Sequence, residues 1–258
     1  MSPSGSGRVL KTTDKSLAIL EFVHEHEGAT MATICSELDL TKSTAHGHLT
    51  TLLNRGYLVK HGEQYHLGMK LLKFSEAAKN RDDAFPVIRD GVDVLAERVE
   101  EGVDYSVLEN NRIISVYDTI TNENDPNFSP GREYLVHSTA AGKAILAELS
   151  DERVLEIVDA TGLPGLTDKT ITSRERLLAS LEGVRERGYA INDEEYQEGL
   201  RAIATVVTDP NGGVRGAIGI GGPTYRMKGD VFEKDLPSKL LRTVSEVEER
   251  LATVYDTS

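Results

Sequence analysis

The sequence predicts an α+β protein in two parts, an N-terminal winged helix-turn-helix and a C-terminal domain in which helices cover a largely antiparallel sheet. Residues 30–67 contain two short amphipathic helices, a turn and a β-hairpin in winged-helix order. Residues 83–258 mix helical patterns with short β-like runs, which is typical of an α+β domain. A polar run at 80–83, followed by Pro86, predicts the boundary. We therefore expect a disordered arm (1–12), a winged helix-turn-helix (13–68), a linker helix (69–82) and a second, α+β domain (83–258).

Capping and turn residues delimit the predicted helix-turn-helix. Thr30 is expected to cap a short helix, residues 39–41 to form the turn, and a second helix to open at Thr41 or Lys42 and end at Gly56. An earlier helix, begun near Asp14, is expected to pack on this unit through Leu17, Leu20 and Val23. The inward residues of the two later helices are predicted to be Ile34, Leu38, Ala45, Leu49, Leu52 and Leu53. Two strands, 57–60 and 64–67, joined by residues 61–63, form the predicted wing.

The outer face of the second helix is short, polar and without acidic residues, which favours DNA binding. Hydroxyls, imidazoles and one cation are groups that reach base edges and phosphates from a major-groove helix. The alternative is a generic polar helix face. Shared zinc ligation by His46, His48 and Cys35 is disfavoured, because residues i and i+2 of a helix face apart, and no metal or cofactor is predicted. The predicted DNA-binding residues are Thr41, Lys42, Ser43, Thr44, His46, His48 and Thr51 on the helix, with His61 and Gln64 on the wing.

The charge distribution qualifies this hypothesis. The chain of 258 residues has a net charge of −13. Residues 1–75 carry eight Lys/Arg, seven Asp/Glu and six of the seven histidines, so the excess of acid lies in the rest of the chain. A balance near zero is low for a domain that neutralises phosphates. Few lysines (12) and no Trp are consistent with a salt-rich cytoplasm, and we interpret the acidic balance as a halophilic adaptation.

Composition also indicates the cellular compartment of the protein. No apolar run is long enough to cross a membrane, and the first residues lack the apolar core of a signal peptide. A single cysteine, Cys35, excludes an internal disulfide. A cytoplasmic protein is therefore expected, with double-stranded DNA and a second copy of the chain as partners and no membrane.

The C-terminal part is predicted element by element from periodicity, caps and turns. A helix over 87–101 precedes strands 103–108 and 113–118, and a polar loop covers 121–130. After a strand at 133–136 come a helix that opens at Ala140, a helix capped by Asp151 and a helix capped by Ser173 that ends at Gly188. Further strands are expected at 189–191, 202–208 and 214–220, with a hairpin turn at 209–213 and a closing helix at 232–254.

Two motifs in this part have an enzymatic interpretation that is disfavoured. Ala141-Gly142-Lys143 ends like a phosphate loop but lacks the upstream glycine. Asp193, Glu194 and Glu195 could include an acid–base pair, yet no nucleophile accompanies them, so a solvated loop or helix cap is favoured.

Several separated motifs resemble the IclR family of transcriptional regulators in order and spacing. They are SLAILEFV and YHLGMKLL around the winged helix, then HSTAAGKAILA (137–147), RGYAINDEEYQEGLRAIA (187–204) and GIGGP (219–223). The resemblance covers roughly residues 10–255 and implies a GAF-like effector domain, a dimer or tetramer, and control of nearby metabolic genes. It also implies an effector site at Ala140, Ala141, Gly142, Asn192, Ala202, Gly219 and Gly221.

The implied effector site departs from the family pattern. Asn192 stands where an aspartate is often found, Ala202 where a cysteine is common, and Gly219 and Gly221 where serines occur in members that bind small keto acids. We therefore expect a roomier, less polar pocket that suits a larger or more apolar ligand. Two alternatives remain: a regulator with a vestigial pocket, and a small-molecule enzyme whose N-terminal module serves dimerisation.

Overall fold

The computed structural model describes residues 9–119 and 130–255, which fall into two compact units, Met1–Arg81 and Asp82–Ser258. The first unit is a winged helix-turn-helix followed by one further helix. Its elements are α1 (Lys11–Glu25), β1 (Ala29–Thr30), α2 (Met31–Glu37), α3 (Lys42–Arg55), β2 (Leu58–His61), β3 (Gln64–Leu67) and α4 (Lys70–Lys79).

Helices α1, α2 and α3 enclose one small core. Ile19 on α1, Ile34 on α2 and Leu49 on α3 are fully or almost fully buried there. The Thr30 side chain accepts a hydrogen bond from the Thr33 amide, and Gly56 ends α3 with a left-handed backbone. Residue pattern and capping together therefore predicted α2 and α3 closely.

The start and the buried face of α1 differ from the prediction. The Asp14 amide already donates to the Leu10 carbonyl, so Asp14 lies inside the helix, and Lys11 and Thr12 of the predicted arm are helical. Residues 1–8 of that arm lie outside the described residues. Leu17 is exposed and Leu20 half-buried, because the buried face is formed by Ile19, Phe22 and Val23.

The wing is a two-residue hairpin with an added short strand. Strands β2 and β3 pair antiparallel from Leu58↔Leu67 to His61↔Gln64, one residue further along β2 than the sequence predicted. Strand β1 pairs with the other edge of β3, which was not predicted. The result is a three-stranded sheet of order β1-β3-β2.

The second unit is an α+β domain on a six-stranded antiparallel sheet of order β6-β5-β4-β9-β8-β7. Its strands are β4 (Gly102–Glu109), β5 (Arg112–Asp118), β6 (Glu133–Tyr134), β7 (Ala190–Asp193), β8 (Leu200–Thr208) and β9 (Val214–Pro223). Its helices are α5 (Phe85–Arg98), α6 (Ala140–Ala147), α7 (Asp151–Thr161), α8 (Arg174–Arg187) and α9 (Leu236–Tyr255), with a π-helical turn at Val231–Asp235.

Side-chain alternation separates the two faces of this sheet. Ile203, Ile218 and Ile220 point into a core shared with α5 and α9. Residues of the opposite face pack with α6, α7 and α8 and are small, among them Ala204 and Ala217. Small side chains let α6 lie close to the sheet, so the domain has three layers with α6 directly over the strands.

Several local predictions for this unit were wrong in detail. The helix predicted over 87–101 begins at Phe85, so Pro86 does not precede α5 but occupies its first turn, where its missing amide costs nothing. The cap of α7 is Ser150, whose hydroxyl accepts from the Arg153 amide, and not Asp151. The closing helix begins as a π-helical turn before α9. Most of the loop predicted at 121–130 lies outside the described residues.

Candidate DNA-binding face and ligand cavity

The N-terminal half of α3 presents a polar face to solvent. Thr41 caps the helix: its hydroxyl accepts from the Thr44 amide at 3.3 Å and lies 2.9 Å from the Thr44 hydroxyl. Lys42, Ser43 and His46 are exposed, and Thr44 is half-buried. These side chains can donate to phosphates or to base edges, and the exposed end of the helix adds free backbone amides.

His48 does not belong to this exposed face. It is buried, and its Nδ1 lies 2.7 Å from the Ser16 hydroxyl on α1. The reason is helical periodicity: residue 48 is three positions after Ala45 and four before Leu52, so it shares their inward side. The prediction that His48 is a DNA-facing residue is corrected, and His46 and His48 face different sides of α3.

The remaining predicted residues continue the exposed face toward the wing. Thr51 is exposed, although its hydroxyl donates to the Gly47 carbonyl at 2.8 Å. His61 and Gln64 are exposed cross-strand partners at the tip of the hairpin. A helix face and a wing tip of this kind are the two elements that a winged helix offers to DNA.

The second unit holds a cavity of about 50 Å³ between the α6 N-terminus and the small-residue face of the sheet. Since a single water needs roughly 10–15 Å³ of such volume, the cavity suits a small molecule. Strands β4, β5, β6, β7, β8 and β9 all contribute to its wall. The lining residues are Asp104, Ser106, Ile113, Tyr134, Thr139, Ala140, Ala141, Asn192, Tyr196, Leu200, Ala202, Ile203, Ala204 and Gly219.

Five of the seven residues predicted for the effector site line this cavity: Ala140, Ala141, Asn192, Ala202 and Gly219. Gly142 does not, because a side chain there would point at the Val136 carbonyl, 2.1 Å from the Cβ position. Gly221 pairs with Ala202 on β8 but is not among the lining residues.

The cavity is small, and its wall is mostly apolar. The small side chains of Ala202 and Gly219 leave space above the sheet. That space is narrowed by Tyr134 and Tyr196, whose rings meet edge-on with centroids 5.4 Å apart. Asp104 and Ser106 add polar groups to the wall, and the expectation of a roomier, less polar pocket than in other family members stays a prediction.

Asp104 is the acidic group of this wall. It faces Gly219 in the register of β4 and β9, and the Ser106 hydroxyl donates to its Oδ2 at 2.8 Å. Burial raises the pKa of Asp104 to about 6, and the neighbouring Asp118 carboxylate raises it further, while the Ser106 hydrogen bond opposes the shift. Sequence reasoning missed Asp104, Ser106, Tyr134, Thr139 and Tyr196. The one available signal was an acidic residue inside the strand predicted at 103–108, which the structure extends to Gly102–Glu109.

A buried ion pair joins α6 to the segment that follows β7. Lys143 is 2% exposed and donates to the Glu195 carboxylate. Burial lowers the pKa of Lys143, and the Glu195 charge opposes that shift. Lys143 is therefore a structural cation and not a phosphate-loop lysine, and Glu195 is not the solvated residue predicted for the acidic stretch.

Asn192 connects the cavity with this ion pair. Its side-chain oxygen accepts hydrogen bonds from the amides of Glu195 at 2.8 Å and Tyr196 at 3.4 Å. The amide group thereby holds both a cavity wall residue and the partner of Lys143. Asp193 and Glu194, in contrast, form ion pairs with Arg201 and Lys169 nearer the surface.

A winged helix with a cation-bearing recognition helix, followed by a domain with a small cavity, defines a ligand-responsive DNA-binding regulator. The comparisons give the family. The family model "Bacterial transcriptional regulator IclR C-terminal" matches residues 78–249, and "IclR helix-turn-helix domain" matches residues 12–62. The chain belongs to the IclR family of transcriptional regulators, which combine a helix-turn-helix DNA-binding domain with a C-terminal effector-binding domain.

Three relatives illustrate the match. A "Probable HTH-type transcriptional regulator ArcR" of Halobacterium salinarum is 29% identical over 260 residues, covering 97% of both chains. The HTH-type transcriptional regulator KdgR of Escherichia coli is 31% identical and covers 82% of each chain. A crystal structure from Rhodococcus sp. RHA1, described as that of a transcriptional regulator, has 25% identity and a TM-score of 0.82, covering 95% of this chain and 100% of its own.

These findings decide between the two classes of protein, regulator and enzyme, that the sequence left open. The family consists of transcriptional regulators, so the chain is a regulator and not an enzyme. Within residues 9–119 and 130–255, no helix is long and apolar enough to cross a membrane.

Proposed function

We propose that the protein is a cytoplasmic repressor or activator of metabolic genes that reads DNA with the N-terminal half of α3 and is controlled by a small molecule in the α6 cavity. The observation that carries the DNA interface is the composition of α3. Its 14 residues include no Asp or Glu, in a chain that has 42 of them. Exclusion of acid from one exposed helix face is what contact with phosphates requires.

The two units differ in charge in a way that supports this assignment. Residues 1–81 carry ten Lys/Arg and eight Asp/Glu, whereas residues 82–258 carry 19 Lys/Arg and 34 Asp/Glu. The acidic unit repels DNA at low ionic strength, and that repulsion is screened as salt rises. We therefore propose that the protein works in a salt-rich cytoplasm, which agrees with its similarity to a protein of Halobacterium salinarum.

Exposed apolar residues near α4 support a homodimer. No residue of α4 is buried, and Met69, Leu72 and Phe74 expose 81%, 61% and 49% of their surface. A second copy of the chain would cover this surface and bring two α3 helices to two half-sites. A monomer mass near 28 kDa by light scattering would contradict the dimer.

The experiment for the DNA interface compares variants on α3 in a gel shift, with a duplex selected by the protein from a random pool. His46→Ala should lower affinity by roughly 1–3 kcal/mol if the ring reads a base. Lys42→Ala should weaken binding to all sequences and reduce the salt slope by about 1. The control is Asn54→Ala, which is exposed near the other end of α3.

Equal affinity of His46→Ala, Lys42→Ala and Asn54→Ala would remove the DNA interface from this part of α3. The cavity has its own test. Ala202→Leu fills space on its wall and should abolish the response to the ligand without changing operator affinity in the absence of ligand.

A further inference from the structure

The lining of the α6 cavity is chemically asymmetric. One part of the lining is the N-terminus of α6: Thr139 caps the helix by accepting from the Gly142 amide at 3.0 Å, and the first helical residues, Ala140 and Ala141, also line the cavity. Another part is made of Asp104, with its carboxylate, and Ser106, with its hydroxyl. The helix N-terminus offers hydrogen-bond donors, and the carboxylate offers a hydrogen-bond acceptor.

The Asp104 carboxylate has room for a further hydrogen bond. Ser106 donates to Asp104 Oδ2, and no described group donates to Oδ1. A carboxylate on a cavity wall needs a donor or a cation to offset its loss of water. Water supplies a donor when no ligand is bound, and a bound ligand with a donor group would replace it.

The aromatic residues beside Asp104 favour a positively charged donor. Tyr134 lines the cavity, and its pKa is raised by burial and by the Asp104 charge, which places the phenol in the field of that carboxylate. Tyr196 packs against Tyr134. Phenol rings next to a carboxylate form the usual surroundings of a bound ammonium group.

We propose that the effector is a small molecule with an ammonium group that binds Asp104 and a hydrogen-bond acceptor that binds the α6 N-terminus, and that it is not a simple carboxylate. This proposal rests on the proposed function of the cavity as the effector site. Small amino acids, amino amides and amino alcohols have the required chemistry. A ligand with a carboxylate alone would leave the Asp104 charge unbalanced.

The charged groups around Asp104 set the expected pH dependence. Asp118 on β5 and Tyr134 on β6 face it, whereas Lys143 of α6 is directed to Glu195. Arg132 stacks on Tyr134 at 5.7 Å and donates to the Tyr196 hydroxyl at 3.3 Å. Since an ammonium ligand needs ionised Asp104, its affinity should increase as the pH rises through about 6, the pKa of this carboxyl.

The test is a thermal shift measurement on the full chain with ethanolamine, glycine and acetate at equal ionic strength. The two ammonium compounds should raise the melting temperature, and acetate should not. Asp104→Asn should lower the affinity for ethanolamine at least tenfold, because the amide keeps the shape but not the charge. Glu133→Gln is the matched control, since its exposed carboxylate lies beside Tyr134 in sequence but outside the cavity lining.

The outcomes separate ligand chemistry from cavity function. A shift with acetate, or no shift with either ammonium compound, overturns the proposed ligand class. Should acetate act and Ala202→Leu abolish its effect, the cavity remains the effector site with a different ligand class. An ethanolamine effect that persists in Asp104→Asn and Ala202→Leu places binding elsewhere and overturns both proposals.

Discussion

Helices α3 and α6 begin in the same way but differ in how much of their surface is exposed. Thr41 and Thr139 each cap their helix by accepting a hydrogen bond from the amide three residues on. Only Ala45, His48, Leu49 and Leu52 of α3 are buried, whereas all eight residues of α6 are. A helix with one exposed face reveals its function in its sequence, whereas a helix buried on all sides does not.

The largest effect should come from breaking the buried ion pair between Lys143 of α6 and Glu195, which follows β7. Glu195→Ala leaves Lys143 as an uncompensated buried cation and should lower the free energy of unfolding by about 3–5 kcal/mol. Asp159→Ala, which removes the partner of Arg174 at the surface, should cost no more than about 1 kcal/mol. Urea denaturation of both variants measures the difference, and equal losses would show that the Lys143 environment is solvated.

A second prediction concerns Asp104, whose pKa burial raises to about 6. The carboxyl has a pKa of about 3.9 in the unfolded chain, so the folded chain binds the proton more readily between about pH 4 and 6. Stability should therefore fall as the pH rises through that window. Asp104→Asn should be more stable than the parent by about 3 kcal/mol at pH 7 and equal to it below about pH 4.

Glu133→Gln is the control for this measurement, because it makes the same change at a carboxylate that is exposed to solvent. A stability difference for Asp104→Asn that does not change with pH would show that Asp104 is ionised normally in the folded chain. A residue that costs stability and lines a cavity is expected at a binding site.

The two histidines of α3 separate its inner and outer faces. His48→Ala removes the hydrogen bond to Ser16 and buried ring surface, and should destabilise the fold by about 1–2 kcal/mol. His46→Ala should leave stability within about 0.5 kcal/mol, because its side chain is exposed. Urea denaturation measures stability, and a gel shift below the transition should show normal DNA affinity for His48→Ala. Loss of stability in His46→Ala together with loss of DNA affinity in His48→Ala would mean that His46 lies on the inner face of α3 and His48 on the outer face.

The contrast between the exposed helix α3 and the buried helix α6 also explains which features the sequence could predict. Caps and periodicity located α3, its turn and the hairpin within a residue or two, because these signals are local. The antiparallel sheet and five cavity residues were also predicted, the latter through the family resemblance. Asp104 and Tyr196 were missed because they are about 90 residues apart in the chain. Only the pairing of β4 with β9 and of β9 with β8 brings both residues to the wall of one cavity. His48 was misassigned because its chemistry was weighed above its position on the helix.

A small gain in stability, and the sharpest test of the exposed face of α3, should come from Gly47. A Cβ added there would have no atom within 4 Å, so nothing in the described chain requires glycine. Glycine inside a helix costs about 0.5–1 kcal/mol relative to alanine, and Gly47→Ala should therefore stabilise the protein by that amount. If the bare backbone allows close approach to DNA, the same change should weaken operator binding, because a methyl group would meet the duplex. Urea denaturation and gel shift on one variant thus give effects of opposite sign. Unchanged operator affinity would mean that this side of α3 does not contact DNA closely.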